Sequence, residues 1–318
     1  MRKVAVVVVA SLCAVSLLAR PVRRPARTAV AVDIREVAAG REQGARLRAQ
    51  MQSSVGATAV IQNRSARAIV IPAAGSTRGQ GGTFFRSDVT LVNWNADDQH
   101  LKLTWSPSGN PIGTTEFDIT IPAGLPFTLE DFVGAYLHKS GVGSLTFIPV
   151  DDGGDRDEDA AFDAYSRIWT PQPNAIGTVS QPFPGVDYDQ LDGDYEAAIL
   201  GLRQDAGYRT NYGIVNNTNR DVHFTVTVVP DAAAPPYAEI PVRVSARSMV
   251  QSSLPPGNFG KLTLFVSIDD DIPESSFSWA AFASSTDNVT GDGWVSIGAQ
   301  PDDDDGLDTP SLRRTTHR

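Results

Sequence analysis

Cysteine is nearly absent from these 318 residues: Cys13 is the only one, and it lies inside an apolar N-terminal run. The rest of the chain therefore has no disulfide, no thiol nucleophile and no thiolate metal ligand. Only four histidines are present, none spaced to chelate with another. No Gly-x-Ser-x-Gly elbow, His-Glu-x-x-His pair or Ser-x-x-Lys motif occurs, which removes the common hydrolase signatures. Gly75 to Gly82 is glycine-rich, but it lacks the Lys-Ser/Thr ending of a phosphate loop and leads into a strand pattern, so it reads as a flexible loop.

Long apolar runs are also missing, with one exception. Val4 to Ala19 follows Arg2 and Lys3, the basic-then-apolar order of an export signal. Residues 1–27 are thus a signal peptide or, if uncleaved, a signal anchor. Ala29-Val30-Ala31 offers a small-x-small cleavage site. Leu12 stands where a lipoprotein signal needs a small residue before Cys13, which argues against lipid anchoring. A secreted, periplasmic or cell-surface location follows, with no membrane contact beyond that possible anchor.

Residues 1–27 hold six of the 27 Lys and Arg and none of the 37 Asp and Glu, so the remainder carries 21 basic against 37 acidic groups, a net charge of −16. Such a field repels phosphate backbones, which excludes nucleic acid as a natural partner. With no disulfides, burial alone must hold the fold, and the length suits two domains with a core in each. The 27 Gly and 21 Pro favour many turns.

The strongest internal signal is repetition. Phe85-Arg86-Ser87-Asp88-Val89-Thr90-Leu91-Val92-Asn93 returns 123 residues later as Tyr208-Arg209-Thr210-Asn211-Tyr212-Gly213-Ile214-Val215-Asn216. The same offset lays Asp98 and His100 over Asp221 and His223. Gly143 to Thr146 matches Gly260 to Thr263 at an offset of 117, and Val150 to Asp152 matches Ile268 to Asp270 at 118. Offsets that change in loops are what insertions into a duplicated fold leave.

Period-two alternation supports strands: Leu101, Leu103 and Trp105 alternate with His100, Lys102 and Thr104, and Phe224, Val226 and Val228 behave alike. Such runs predict strands near 67–71, 84–93, 99–106, 115–121, 125–130, 143–150, 161–169 and 177–182, with a similar set over 196–299. A short helix is expected at Phe132 to His138, in the first copy alone. The fold class is all-β: two tandem immunoglobulin-like β-sandwich domains related by internal duplication, over residues 67–185 and 186–300. Residues 28–66 read as a partly helical linker, and 301–318, with Asp302 to Asp305, as a disordered tail.

The aromatic-Arg-Thr-Asn-x-Gly-x-Val-Asn segment at Tyr208 to Asn216, ahead of an alternating strand, resembles tandem immunoglobulin-like modules of secreted bacterial proteins. The likeness covers nearly all of residues 67–300. It implies a fold and an extracellular setting, and carries over no catalytic residue.

Candidate sites are few. Asp155, Asp157 and Asp159 lie in a run of six carboxylates among residues 151–159, and clustered hard oxygens suit Ca²⁺. The glycine and closing Glu of an EF-hand loop are missing, so a solvated hairpin loop is the competing reading. Arg86 and Arg209 should point outward from their strands, either as ligand contacts or as halves of cross-strand pairs. His100 and His223 read as surface histidines. Asn63, Asn216 and Asn288 match the glycosylation acceptor pattern.

These observations lead to a non-catalytic exported protein that presents its sandwiches to a protein or surface glycan, or acts as a structural spacer. The alternative is a secreted hydrolase built on carboxylates of the first domain, such as Glu116, Glu130 and Asp131.

Overall fold

The computed structural model describes residues 30–32, 68–79, 82–124, 126–172, 176–187, 196–231, 238–270 and 278–299. Among them the protein is almost entirely antiparallel β-sheet. The apolar signal run, Cys13, residues 33–66 of the expected linker with Asn63, and the acidic tail lie outside the described residues. No described helix is long and apolar enough to cross a membrane.

The first half contains β1 Val30–Val32, β2 Ile69–Arg78, β3 Phe84–Asn93, β4 Gln99–Pro107, β5 Thr115–Ile121, β6 Pro126–Leu129, β7 Gly141–Val150, β8 Phe162–Pro171, β9 Thr178–Pro184 and β10 Val186–Asp187. The second contains β11 Glu196–Gln204, β12 Tyr208–Asn216, β13 Val222–Pro230, β14 Ala238–Val244, β15 Ser248–Ser253, β16 Gly260–Ile268, β17 Trp279–Asp287 and β18 Gly293–Ile297. β2 reaches Arg78, so the first part of the glycine-rich stretch is strand. The reason is local: a Cβ on Gly75 would lie 2.8 Å from the Gly141 carbonyl, so only glycine lets β2 and β7 approach this closely.

Both halves follow one strand order. In the first, β5-β4-β7-β2 forms one layer and β6-β3-β8-β9 the other, joined where the end of β2 crosses to β3. In the second, the layers are β14-β13-β16-β11 and β15-β12-β17-β18. Details agree as well. A register shift interrupts β2 against β7 between Ile71 and Ala74, and β11 against β16 between Ile199 and Leu202. Even the pairing of Val186 with Val70 has a counterpart in the Ala198–Ala299 bridge.

The strand pairing corrects two sequence matches: Leu101 opposes Pro149 and Phe224 opposes Ile268, so Val150 corresponds to Asp269 and not to Ile268. Gly141 opposes Ser76 and Gly260 opposes Gln204, so β7 corresponds to β16 at an offset of 119, not 117. A two-residue shift keeps every side chain on its own face, so alternation alone does not reject it. The helix expected at 132–138 is a π-helical turn at Phe132–Tyr136, with Phe132 and Val133 fully buried. Within the stretch expected to be linker, β1 pairs parallel with β5 through Val30 to Val32 against Phe117 to Ile119.

Two buried clusters result. One gathers Leu101, Leu103, Trp105, Phe117 and Phe147 against Val89, Leu91, Leu129 and Phe162. The other gathers Phe224, Val226, Leu264 and Val266 against Tyr212, Ile214, Trp279 and Ala281. The first cluster extends into the second half, taking in Val215, Met249, Ala280 and Phe282. The centre of the layer β15-β12-β17-β18 is therefore buried on both faces: Tyr212 to Asn216 of β12 are buried, and β17 is buried from Trp279 to Thr286. Neighbouring residues of β17 serve different cores in turn, because strand side chains alternate.

Between the halves, Phe183 meets Phe282 edge to face at 5.4 Å between ring centres. The Gly109 amide donates to the Met249 carbonyl at 2.8 Å, and Thr146 donates to Asn217 Oδ1 at 3.4 Å. The Phe282 ring covers Gly213 on the adjacent strand, where a Cβ would fall 2.2 Å from it.

Candidate functional site

Repeated residues divide into those that hold the fold and those that face solvent. Asn93 and Asn216 are fully buried at the ends of β3 and β12. Asn93 Nδ2 donates to the carbonyls of Asp97 and Ile121, while its Oδ1 accepts from the Asn95 amide. Asn216 Nδ2 donates to the carbonyls of Arg220 and Val244, and its Oδ1 accepts from the Thr218 amide. Asp98 and Asp221 accept the amides of Ala123 and Ala246. The repeated Asn and Asp thus satisfy backbone groups where chain leaves the sheet, a structural duty. Burial of Asn216 also closes it to glycan addition in the folded protein.

The candidate metal residues occupy the turn between β7 and β8. Asp157 spends both carboxylate oxygens, one on the Asp159 amide at 3.0 Å and one on Gln99 Nε2 at 3.1 Å. Asp151 accepts the Asp155 amide at 3.0 Å. No group of three His, Cys, Asp or Glu among the described residues is placed to hold a metal ion. At the neighbouring strand end, His100 lies 3.5 Å from Asp152, and His223 lies 3.1 Å from Asp270 at the corresponding place in the second half.

Glu116 belongs to β5, whereas Glu130 and Asp131 follow β6 in the other layer. Asp131 adopts a left-handed conformation, φ 48°, at the entry to the π-helical turn. Its Oδ2 lies 3.9 Å from Arg86 Nε. Arg209 is exposed and donates to Asn288 Oδ1 at 2.8 Å.

Arg86 opens onto the feature that composition did not reveal, the outer face of the layer β6-β3-β8-β9. Across the β3–β8 pair, Arg86 opposes Trp169, Asp88 opposes Arg167 and Thr90 opposes Tyr165. The Arg86 guanidinium stands 5.2 Å from the Phe84 ring centre and 5.6 Å from that of Trp169. Arg167 approaches the same indole at 5.9 Å and donates to Thr178 Oγ1 at 2.7 Å. At the far end Trp94, 55% exposed, donates its Nε1 to Asp163 Oδ2 at 3.0 Å. Tyr165 between them is 40% exposed.

Asp131 Oδ1 and Trp169 Nε1 are buried with no hydrogen-bond partner among the described residues. Beside Arg86 one acceptor and one donor are thus enclosed and unpaired, and each is costly in that state. Arg, Trp and Tyr on a sheet face form the residue set that concentrates binding energy at interfaces.

The corresponding face of the second half is the buried inter-sandwich surface. Thr90 and Tyr165 have Gly213 and Phe282 as counterparts, and Asp163 has Ala280. One sheet face thus exists in two versions, apolar where the chain covers it and polar-aromatic where the chain leaves it open. The sequence carried the signal for this in the strand repeat, but which copy's face is covered depends on packing between halves.

Comparison with family models, curated proteins and solved structures finds no match to this chain.

Proposed function

We propose that this is an exported, non-catalytic binding or structural protein that engages a protein or surface glycan through the open outer face of its first sandwich. The observation that carries the reading is the contrast between Tyr165, Trp94 and Arg86 on that face and Phe282, Asn217 and their neighbours on its covered counterpart. The basic and apolar start of the chain supports export.

Shared strand order, shared register shifts and the two Asn-centred hydrogen-bond sets support descent of the halves from one duplicated unit. The arrangement is immunoglobulin-like in its middle. The pairs β3–β6 and β4–β7, like β12–β15 and β13–β16, are those of that fold, whereas β2 and β8, like β11 and β17, exchange layers relative to it.

The test compares the wild type with the Trp94→Ala, Tyr165→Ala double variant for retention on purified polysaccharides and on immobilised copies of the protein itself. Retention lost in the variant, with an unchanged circular dichroism spectrum, supports the reading. Equal behaviour of both proteins on every surface refutes it. Reproducible turnover of a glycan or peptide, abolished by Asp131→Asn, would overturn the non-catalytic part.

A further inference from the structure

The protein already contains one sheet-on-sheet contact whose two sides recur, with no described strand packed on them, at its opposite ends. Inside the chain, the outer face of β5-β4-β7-β2 seats the outer face of β15-β12-β17-β18. Thr104 and Thr146 oppose each other on the first of these and are 8% and 5% exposed. Thr146 donates to Asn217, which follows β12 on the second.

The counterparts follow from the strand register. Thr104 and Thr146 correspond to Thr227 and Phe265, which oppose each other on the outer face of β14-β13-β16-β11 and are both only half-buried. Asn217 corresponds to Trp94, the most exposed of the aromatic rings on the outer face of β6-β3-β8-β9. The polar pair of the internal contact is thus replaced by two aromatic residues, one at each end of the molecule. Around them, Val215 and Phe282 are matched by Val92 and Tyr165.

We infer that a second copy of this chain docks head to tail, the face bearing Trp94 and Tyr165 of one molecule lying on the face bearing Phe265 and Thr227 of the next. This rests on the reading that the open face of the first sandwich is a partner surface, and it names the partner. The contact continues the interface already formed within the chain. Two aromatic rings at one spot supply the buried apolar anchor that such a contact needs. Because the two surfaces differ, the association is heterologous, and repetition yields an open chain of molecules, not a closed dimer.

The test is sedimentation velocity of the purified protein over a wide concentration range, with Trp94→Glu and Phe265→Glu. The expected result is a wild type whose mean mass climbs past the dimer as concentration rises. Each variant alone stays monomeric, because each lacks one face. An equimolar mixture of the two forms dimers and stops there, since one intact head meets one intact tail. Circular dichroism and melting checks establish that both variants fold, and Thr227→Glu replaces Phe265→Glu if the latter does not.

A wild type that remains monomeric throughout overturns the inference. So does a variant that self-associates as the wild type does, or a mixture that stays monomeric. If the wild type is monomeric yet binds a purified polysaccharide, and Trp94→Glu abolishes that binding, self-association falls while the open face stands as a partner surface. If neither readout responds to Trp94→Glu, both readings fall.

Discussion

Replacing Phe282 by alanine is the sharpest perturbation of the inter-sandwich contact. The ring is fully buried, covers Gly213, and meets Phe183 edge to face at 5.4 Å. Deleting a ring so enclosed costs about 3–5 kcal/mol, with the upper end favoured where surrounding backbone cannot collapse. Here the walls are paired strands on both sides, which resist collapse. With a urea dependence of roughly 3 kcal/mol per molar, the unfolding midpoint should fall by about 1 M or more. The assay follows tryptophan fluorescence and far-ultraviolet dichroism together. Trp105 reports on the first core and Trp279 on the second. Since the first cluster crosses the boundary between the halves, both probes should shift together with the slope unchanged. Two separate transitions in the wild type, or a loss below about 1 kcal/mol, would refute the argument that one buried layer joins the halves.

Other outcomes follow from the same geometry. Asn216→Ala strands the carbonyls of Arg220 and Val244 and should cost about 1–3 kcal/mol by chemical denaturation, as should Asn93→Ala in the first half. Gly213→Ala forces a methyl into the Phe282 ring and should destabilise by about 1–3 kcal/mol, whereas Gly213→Ala combined with Phe282→Ala should cost less than the sum of the two changes. Acid should weaken the second half. The Ala246 amide and Arg243 hold the Asp221 carboxyl below its usual range, Arg203 does so for Asp205, and the amides of Thr290 and Val289 do so for Asp287. Groups with lowered values stabilise the fold above the ordinary carboxylate range and lose that contribution as pH falls through it. Burial raises Glu196 and acts in the opposite sense, so melting temperature against pH should fall on acidification and fall less in Asp221→Asn. Added calcium should leave the melting curve in place, because Asp157 already spends both oxygens within the chain.

Much of the architecture was legible from alternation. Phe84 to Asn93 and Thr115 to Ile121 were predicted to the residue, because inward Val89, Leu91, Phe117 and Ile119 repeat at period two. The 123-residue repeat pointed to the two Asn and two Asp anchors, although only coordinates show that they bond to backbone. Less was legible where pattern is indifferent. A two-residue slip of β7 against β16 preserves facing, so the 117 offset looked sound until pairing with β2 and β11 fixed it. The continuation of β2 through Gly75 and Ser76 was hidden by glycine, whose use there is close approach of strands. The open face is not legible in the sequence because Trp94, Tyr165, Arg167 and Trp169 are scattered along it and meet only when β3 and β8 pair. Arg86 was singled out as outward, but its setting between two rings and Asp131 was not readable from spacing.

Amide hydrogen exchange on the native protein tests the central claim most directly, since the account makes one internal layer the most enclosed part of the molecule. Amides of Tyr212 to Asn216 in β12 and of Trp279 to Thr286 in β17, covered on both faces, should exchange slowest of all and at the rate of global unfolding. Exchange in those strands as fast as in the edge strands β14 and β9 would mean that the two sandwiches part readily, and would contradict the account.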